Sequence, residues 1–316
     1  MNRLEKENTT PDISICIATF RRPQGLTRLL DSLQRLSGTK DFTLEIIVID
    51  NDAAETARPV VEELKSRYTC LRYGVEPRQN ISHARNRAVE QARGTWIAFI
   101  DDDEVAGENW LAEYWQMIRK IPGDGYFGPV LPRLEKAGPS WLDPEVFFSR
   151  PRYPSGTRLK FYQTRTGNAF IRRSLFNRHK FDPFYGLTGG GDTELFSRMM
   201  ESGAKFFWCD TAQVFEYIPS HRLTFKWLLQ RAFRKGVAYT YLQRRRSPRY
   251  SRQMIELLKA LAGIFVFASI LPLEVFRGRT AILKGLLRLC VQVGHLWAFL
   301  NLTYEEYKVE GMIPGN

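Results

Sequence analysis

Residues 96–104, Trp-Ile-Ala-Phe-Ile-Asp-Asp-Asp-Glu, run an apolar segment directly into four consecutive acids. The segment reads as a buried parallel strand, with Asp101, Asp102, Asp103 and Glu104 at its end. Four carboxylates in one place repel one another unless something positive sits among them. A divalent cation on oxygen ligands would neutralise the cluster and offer coordination sites to phosphates. Strand ends of open α/β sheets are also where such folds bind ligands. A solvated acidic turn has the same composition, so the cluster gains meaning only from its surroundings.

Those surroundings repeat one pattern. Ile13–Ala18 reads as a strand ending at Thr19-Phe20-Arg21-Arg22-Pro23, followed by a helix with Leu26, Leu29, Leu30, Leu33 and Leu36 at helical spacing. A second strand, Leu44–Ile49, ends at Asp50-Asn51-Asp52, and the next helix places Val60, Val61 and Leu64 on one face. Cys70–Val75 is a weaker third strand. Ser82 reads as the N-cap of a further helix that Gly94 closes. With Trp96–Ile100 as the fourth strand, the alternation predicts a parallel sheet with right-handed crossovers. Polar residues at successive strand ends then line one sheet edge.

The middle of the chain differs. Residues 126–180 are rich in Pro, Gly and aromatics, with strands expected at Gly125–Val130 and Thr166–Ile171. Such loop-rich stretches build substrate pockets. Asp192–Met200 reads as a helix, and Lys205–Cys209 and Ala212–Tyr217 as short strands.

Composition frames this reading. Of 316 residues, 44% are hydrophobic and 25% charged, the balance of a globular chain of one or two domains. The four cysteines, Cys16, Cys70, Cys209 and Cys290, fall in no metal-binding spacing, which argues against a disulfide framework or a zinc site. The first residues are polar and lack the apolar core of a signal peptide, so a cytoplasmic catalytic part is expected. The net charge of +12 is uneven: residues 219–316 carry 16 Lys/Arg against 5 Asp/Glu, whereas residues 1–218 carry 30 against 29. Three regions follow: a polar tail (1–10), an α/β catalytic domain (11–218) and a basic, apolar helical region (219–316). In the last, Ala260–Leu273 and Leu289–Tyr304 are free of charge but shorter than the ~20 residues of a spanning helix. Flanked by Arg244-Arg245-Arg246, Arg249, Arg252, Arg277, Arg279, Lys284 and Arg288, they are expected to lie in a membrane interface facing anionic lipid.

Together these landmarks resemble the family 2 glycosyltransferases, inverting enzymes with the GT-A nucleotide-sugar-binding fold. The resemblance runs from about Ile13 to Gly236. It rests on Ile15–Pro23, on Glu45–Asp52, on Asn80–Ala88 with Gly94–Asp103, which matches the Asp-x-Asp stretch, and on Gly189–Glu194 at the place of the acceptor-side Glu-Asp motif. Thr166–Arg172, Phe181–Gly190 and Gln230–Gly236 are similar to the bacterial exopolysaccharide glucosyltransferases of the succinoglycan type.

The resemblance implies roles. Asp103, with Asp101, would hold Mg²⁺ or Mn²⁺, hard ions that suit oxygen ligands. Glu104 would be a helix or turn acid, not a ligand. Thr19, Arg21, Asp50, Asp52, Arg85, Asp101, Asp102, Arg231 and Arg234 would bind the nucleotide sugar, Asp50 by accepting a hydrogen bond from the uracil imide. Asn86 would assist Arg85 at the phosphates. Asp192 would be the general base that deprotonates the acceptor hydroxyl. The family's Glu before it is here Gly191, and Glu194 or a different acceptor geometry would compensate. Trp141 and Tyr153 would stack on acceptor sugars, and His221 is a lesser candidate metal ligand. The implied reaction moves one sugar, glucose by expectation, from a UDP-sugar to a polyprenyl-diphosphate-linked oligosaccharide at the cytoplasmic face of the inner membrane. Two other readings stay open at this point. One is a metal-dependent nucleotidyltransferase or nuclease, although basic residues interleaved with long apolar runs argue against nucleic acid as a partner. The other is a catalytically idle scaffold of a membrane synthase, for which Gly191 speaks.

Overall fold

A computed structural model describes residues 10–68, 70–186, 189–246 and 249–300. β1 (Ile13–Thr19) and β2 (Leu44–Asp50) are β-branched runs buried at nearly every position, the pattern of strands covered on both faces. Between them, α1 (Pro23–Gln34) starts on Pro23, whose missing N–H is harmless in a first turn, and buries Leu26, Leu29, Leu30 and Leu33. α2 (Arg58–Lys65) buries Val61 and Leu64 and precedes β3 (Leu71–Val75). α3 (Ile81–Gln91) is capped by Asn80 in place of the expected Ser82: the Asn80 side chain accepts from the Ser82 and His83 N–H groups. The Ser82 hydroxyl instead donates to Asp182 O at 3.0 Å.

β4 (Trp96–Ile100) is fully buried, and Glu104 opens a short strand, β5 (Glu104–Ala106), where a turn or helix was expected. α4 (Trp110–Lys120) follows, then β6 (Gly125–Phe127), β7 (Val130–Leu134) and the single turn α5 (Pro144–Phe147). β8 (Asn168–Arg172), α6 (Gly191–Glu201), β9 (Phe206–Trp208) and β10 (Val214–Ile218) complete the α/β part. The C-terminal third is α7 (Phe225–Arg246), α8 (Tyr250–Glu274) and α9 (Arg279–Phe299).

Seven strands form one sheet in the order β3-β2-β1-β4-β8-β6-β9. The first four are parallel, as expected, and Thr19 stands in register with Asp50 at their C-terminal ends. β8 then enters antiparallel to β4, pairing Asn168 with Ile100, so its beginning lies at the same edge. Alternation along β1 sends Ile13, Ile15 and Ile17 into one core with α1, α2 and α4, and Cys16 into the other with α3 and α6. A second sheet orders β5-β10-β7. All four cysteines are free thiols.

The chain falls into two compact units. The first comprises the described residues up to Arg133 together with Phe148–Gly186 and Gly191–Tyr217. The second contains Leu134–Phe147, residues 189–190 and the described residues from Ile218 onward. In the second unit, α9 packs against both α7 and α8. The helices extend beyond the charge-free runs that made them look too short. Tyr250–Arg277 and Arg279–Phe299 are both long and apolar enough to cross a membrane. The last four positions of the second charge-free run, 301–304, lie outside the described residues.

Candidate active site

The four acids after β4 each have a defined environment. Asp101 Oδ1 lies 2.9 Å from Arg85 Nη2, reaching across from α3. Asp102 is buried, accepts from Thr19 Oγ1 at 2.9 Å, and shares Arg22 Nη1 with Asp103, at 2.9 Å from each. Burial lifts the Asp102 carboxyl, Arg22 pulls it back and the Asp103 charge lifts it again, leaving it at about 6. Glu104 is buried, and its Oε2 accepts the Asp101 N–H at 2.8 Å. Burial, reinforced by the charges of Asp101 and Asp103, pushes its carboxyl well above the ordinary range. The repulsion expected from the sequence is countered inside the protein by two arginines, Arg85 on Asp101 and Arg22 on Asp102 and Asp103.

The sequence reading assigned Arg21 to the nucleotide-sugar site and did not single out Arg22. The backbone separates them: Arg21 has φ 52°, a left-handed conformation that side chains other than glycine rarely adopt. Arg21 turns to Asp52, its Nε 3.0 Å from Oδ2, while Arg22 faces the acid cluster. Burial raises the Asp52 carboxyl, but the Arg21 hydrogen bond and the Ala54 N–H outweigh it and hold it below the usual range.

Asp50 is fully buried at the end of β2. Its Oδ2 accepts from Ala57 N–H at 2.8 Å and Tyr73 O–H at 3.1 Å, and its Oδ1 from Asp52 N–H at 3.1 Å. These bonds shape the 51–57 loop, a duty the uracil assignment did not include. Asn86 likewise serves the fold, exchanging two 2.9 Å bonds with the backbone of Phe181.

Across the edge, residues 165–168 lead into β8. Gly167 lies so close to the acids that a Cβ there would stand 2.5 Å from Glu104 Oε1 and 3.3 Å from Asp101 Oδ2. Asn168 is a buried hub. Its Oδ1 accepts from Trp110 Nε1 at 2.8 Å and Tyr114 O–H at 2.6 Å, and its Nδ2 donates to the carbonyls of Pro129 and Ala212. Arg165 is reachable by solvent yet surrounded by protein. Burial and the Arg150 charge lower its pKa, against the attraction of Asp192 and Glu216. It makes no hydrogen bond or ion pair with a described residue. Arg165 lines a pocket of about 170 Å³ with Arg150, Tyr153, Tyr162 and Trp208. No signal in the sequence separated Arg165 from the other surface arginines.

Asp192 sits in the first turn of α6, is half-buried, and acts electrostatically on Arg165. Glu194, one of the candidates to replace the absent Glu, is committed to Arg198 at 2.6 Å. Tyr153 packs edge-on against Trp208, 5.4 Å between centroids. The remaining candidates belong to the second unit: Trp141 lies against Phe147, His221 in a single 3₁₀ turn, and Arg231 and Arg234 on α7.

Among the described residues, no three acidic, histidine or cysteine side chains converge into a metal cage. Asp101 and Asp103 are the two cluster carboxylates that solvent reaches, with side chains 37% and 19% exposed. A hard ion that takes one or two protein carboxylates and fills its shell with phosphate oxygens and water fits that donor set.

A mostly parallel sheet with Thr19, Asp50 and an Asp-Asp-Asp run along one edge has the GT-A architecture of nucleotide-sugar transferases. The family described as "Glycosyl transferase family 2" matches residues 14–180, and the chain belongs to it. It is therefore a glycosyltransferase. The chain is similar to the succinoglycan biosynthesis protein ExoM of Rhizobium meliloti, with 34% identity over 72% of this chain and 74% of ExoM. It is also similar to the GalNAc(5)-diNAcBac-PP-undecaprenol beta-1,3-glucosyltransferase of Campylobacter jejuni, at 30% identity over 40% of each. Among solved structures, the mannosyltransferase PcManGT from Pyrobaculum calidifontis, in complex with GDP-Man and Mn²⁺, superimposes with TM-score 0.57. Identity to it is 15%, over 92% of this chain and 88% of that one. S. aureus TarS 1-349 in complex with UDP gives 0.53 at 13% identity, over 92% of each. At such identities these structures show the fold alone.

Proposed function

We propose that this enzyme transfers a single glucose, with inversion, from UDP-glucose to a polyprenyl-diphosphate-linked oligosaccharide in bacterial exopolysaccharide synthesis. The observation that supports the reading is the pair of solvent-reachable carboxylates, Asp101 and Asp103, that follow β4, with Gly167 packed against the acids and Asp192 in the same unit. The likeness to ExoM and to the undecaprenol-linked glucosyltransferase supports the acceptor class.

Asp103 and Asp101 would hold Mg²⁺ or Mn²⁺, and the bound ion would supply charge to stabilise the departing diphosphate. The chain's own residues do the rest. Thr19, Arg21, Asp50 and Asp52 form the floor for the nucleoside, and Arg85 and Arg22 orient the acids toward the phosphates. Asp192 takes the proton of the acceptor hydroxyl as its oxygen bonds to C1. The C1–O bond to the diphosphate breaks, and its electron pair leaves on the nucleoside diphosphate. The cationic, apolar second unit holds the enzyme at the cytoplasmic face of the inner membrane.

The test is incubation of the full chain with bacterial lipid extract and a panel of labelled nucleotide sugars in Mg²⁺ or Mn²⁺. Label should enter lipid from UDP-glucose, and Asp192→Asn and Asp103→Asn should each reduce it on the order of 100-fold or more. Label from another donor would replace glucose, and full turnover by both variants would overturn the assignment.

A further inference from the structure

α3 is tied at its N-terminus to the sheet edge and along one side to the segment that leads to α6. Asn51, next to Asp50, accepts the Asn80 N–H on Oδ1 at 2.9 Å. Its Nδ2 donates to the carbonyls of Glu76 and Arg78 at 2.8 and 2.7 Å. Ser82, Arg85 and Asn86 follow at i, i+3 and i+4, a spacing that places them on one face of the helix. Arg85 holds Asp101 at 2.9 Å. The other two hold the backbone of residues 181–182: the Ser82 hydroxyl donates to Asp182 O at 3.0 Å, and Asn86 exchanges two bonds of 2.9 Å with Phe181. Asn80, the N-cap, adds a 2.9 Å bond from Nδ2 to Pro183 O.

The 3₁₀ turn Pro183–Gly186 then packs against both α3 and α6. Two glycines permit the approach. A Cβ on Gly186 would overlap Asn80 Oδ1. One on Gly191 would stand 3.0 Å from the Cβ of buried Tyr185 and 3.7 Å from Ser82 Oγ. Gly191 immediately precedes Asp192 in the first turn of α6. The space beside the position where the family carries Glu is therefore filled from outside, by Tyr185 and Ser82. Glu194 is no replacement, because it is held by Arg198 at 2.6 Å. Asp192 Oδ1 accepts the Thr193 N–H at 2.7 Å, so the carboxyl takes its orientation from the turn that Gly191 begins.

We propose that Ser82 is a positioning residue for Asp192. Bonded to Asp182 and packed near Gly191, it sets where α6 starts, so that one helix aligns the acid on the donor side and the base on the acceptor side. Displacement at C1 requires those two sides in a fixed relation, and small misplacements are costly. A Glu side chain at position 191 would push Tyr185 away and with it the segment that α3 holds. The inference rests on Asp192 acting as the base in the proposed function, and it adds which residue places that base.

A double-mutant cycle of Ser82→Ala with Asp192→Asn tests it in the full chain. Its readouts are label transfer from the active nucleotide sugar into bacterial lipid extract and UDP affinity by calorimetry. Ser82→Ala should lower the rate at saturating donor on the order of 10-fold to 100-fold, with UDP affinity within about twofold of wild type. In the Asp192→Asn background the same substitution should change the residual rate by about twofold or less, because the group it positions is gone. Gly191→Ala, which presses on Tyr185 from the other side of the contact, should reproduce both results and serves if Ser82→Ala folds poorly. Equal losses from Ser82→Ala with and without the Asp192 carboxylate, or a parallel loss of UDP affinity, would make Ser82 a structural residue and overturn the proposal while leaving the base in place. Full turnover by Asp192→Asn alone would reject the base assignment itself, and this inference with it.

Discussion

Thr19 Oγ1 donates to Asp102 Oδ2 at 2.9 Å, joining the end of β1 to the chain just beyond β4. The bond is buried, and Arg22 supplies the carboxylate's other strong partner at 2.9 Å. Removing the hydroxyl leaves a buried carboxylate short of a donor, a loss of about 1–3 kcal/mol. Thr19→Val keeps the side-chain shape, so urea unfolding of the variant should show a stability loss of that size. UDP binding by calorimetry should weaken with it, because the same tie sets the spacing of the edge proposed to hold the nucleotide. Unchanged stability and affinity would remove Thr19 from both roles.

The opposite end of the sheet predicts an acid sensitivity. Glu45 is buried at the start of β2 and accepts from Ser14 Oγ at 2.7 Å, Arg93 N–H at 2.7 Å and Arg93 Nε at 3.1 Å, with Arg72 Nη1 at 3.2 Å. Burial pushes its carboxyl up, but the Arg93 backbone, Ser14 and Arg93 side-chain bonds outweigh it and hold it below the usual 4.5. A depressed carboxylate contributes stability that is fully present above the unfolded value and is lost as pH falls through the folded one. Glu45→Gln should therefore cost about 2–3 kcal/mol at neutral pH, and the difference from wild type should shrink below pH 4.5. A difference that stays constant from pH 7 to 3 would show that the charge of Glu45 plays no part.

What the sequence disclosed was the part governed by local periodicity and strand-end chemistry. β1, β2 and β4 are apolar runs with polar residues at their ends, so the edge carrying Thr19, Asp50 and Asp101 could be read directly. The stripe Trp110, Leu111, Tyr114 and Met117 of α4 is present at helical spacing, but it falls where strand–helix alternation assigns nothing. The antiparallel entry of β8 beside β4 depends on long-range pairing that no local pattern encodes. The choice between Arg21 and Arg22 turns on one left-handed residue, and the upward shift of the Glu104 carboxyl on its burial beneath Gly167. Each is a tertiary property, invisible to composition and period.

Gly167 offers a test of that packing. A methyl group there would stand 2.5 Å from Glu104 Oε1, and the carboxyl cannot retreat without releasing the Asp101 N–H it holds at 2.8 Å. Gly167→Ala should move Asp101 out of position, lower transfer on the order of 10-fold to 100-fold, and cost about 1–3 kcal/mol through overpacking. Glu104→Gln keeps the shape and can still accept from the Asp101 N–H, so it should leave transfer near wild type. If Gly167→Ala were as active and stable as wild type, the close approach would have no bearing on the site.

Arg165 is the residue whose substitution should separate catalysis from stability. Its guanidinium pairs with no described residue and lies in the field of Asp192 and Glu216, so folding gains little from its charge. Burial and the Arg150 charge outweigh the attraction of Asp192 and Glu216, so the guanidinium is held unfavourably in the free protein. An anionic group entering the 170 Å³ pocket would relieve that strain. Arg165→Gln is therefore expected to leave the melting temperature within a degree or two of wild type, or raise it slightly, while kcat/KM for transfer falls on the order of 10-fold to 1,000-fold. Which constant carries the loss locates the group. A rise in acceptor KM alone would mean that Arg165 binds the acceptor before reaction, and a fall in kcat alone that it meets charge developing on the leaving diphosphate. A variant that melts several degrees lower, with kinetics unchanged once corrected for the folded fraction, would make Arg165 a structural residue and leave the pocket without a catalytic part.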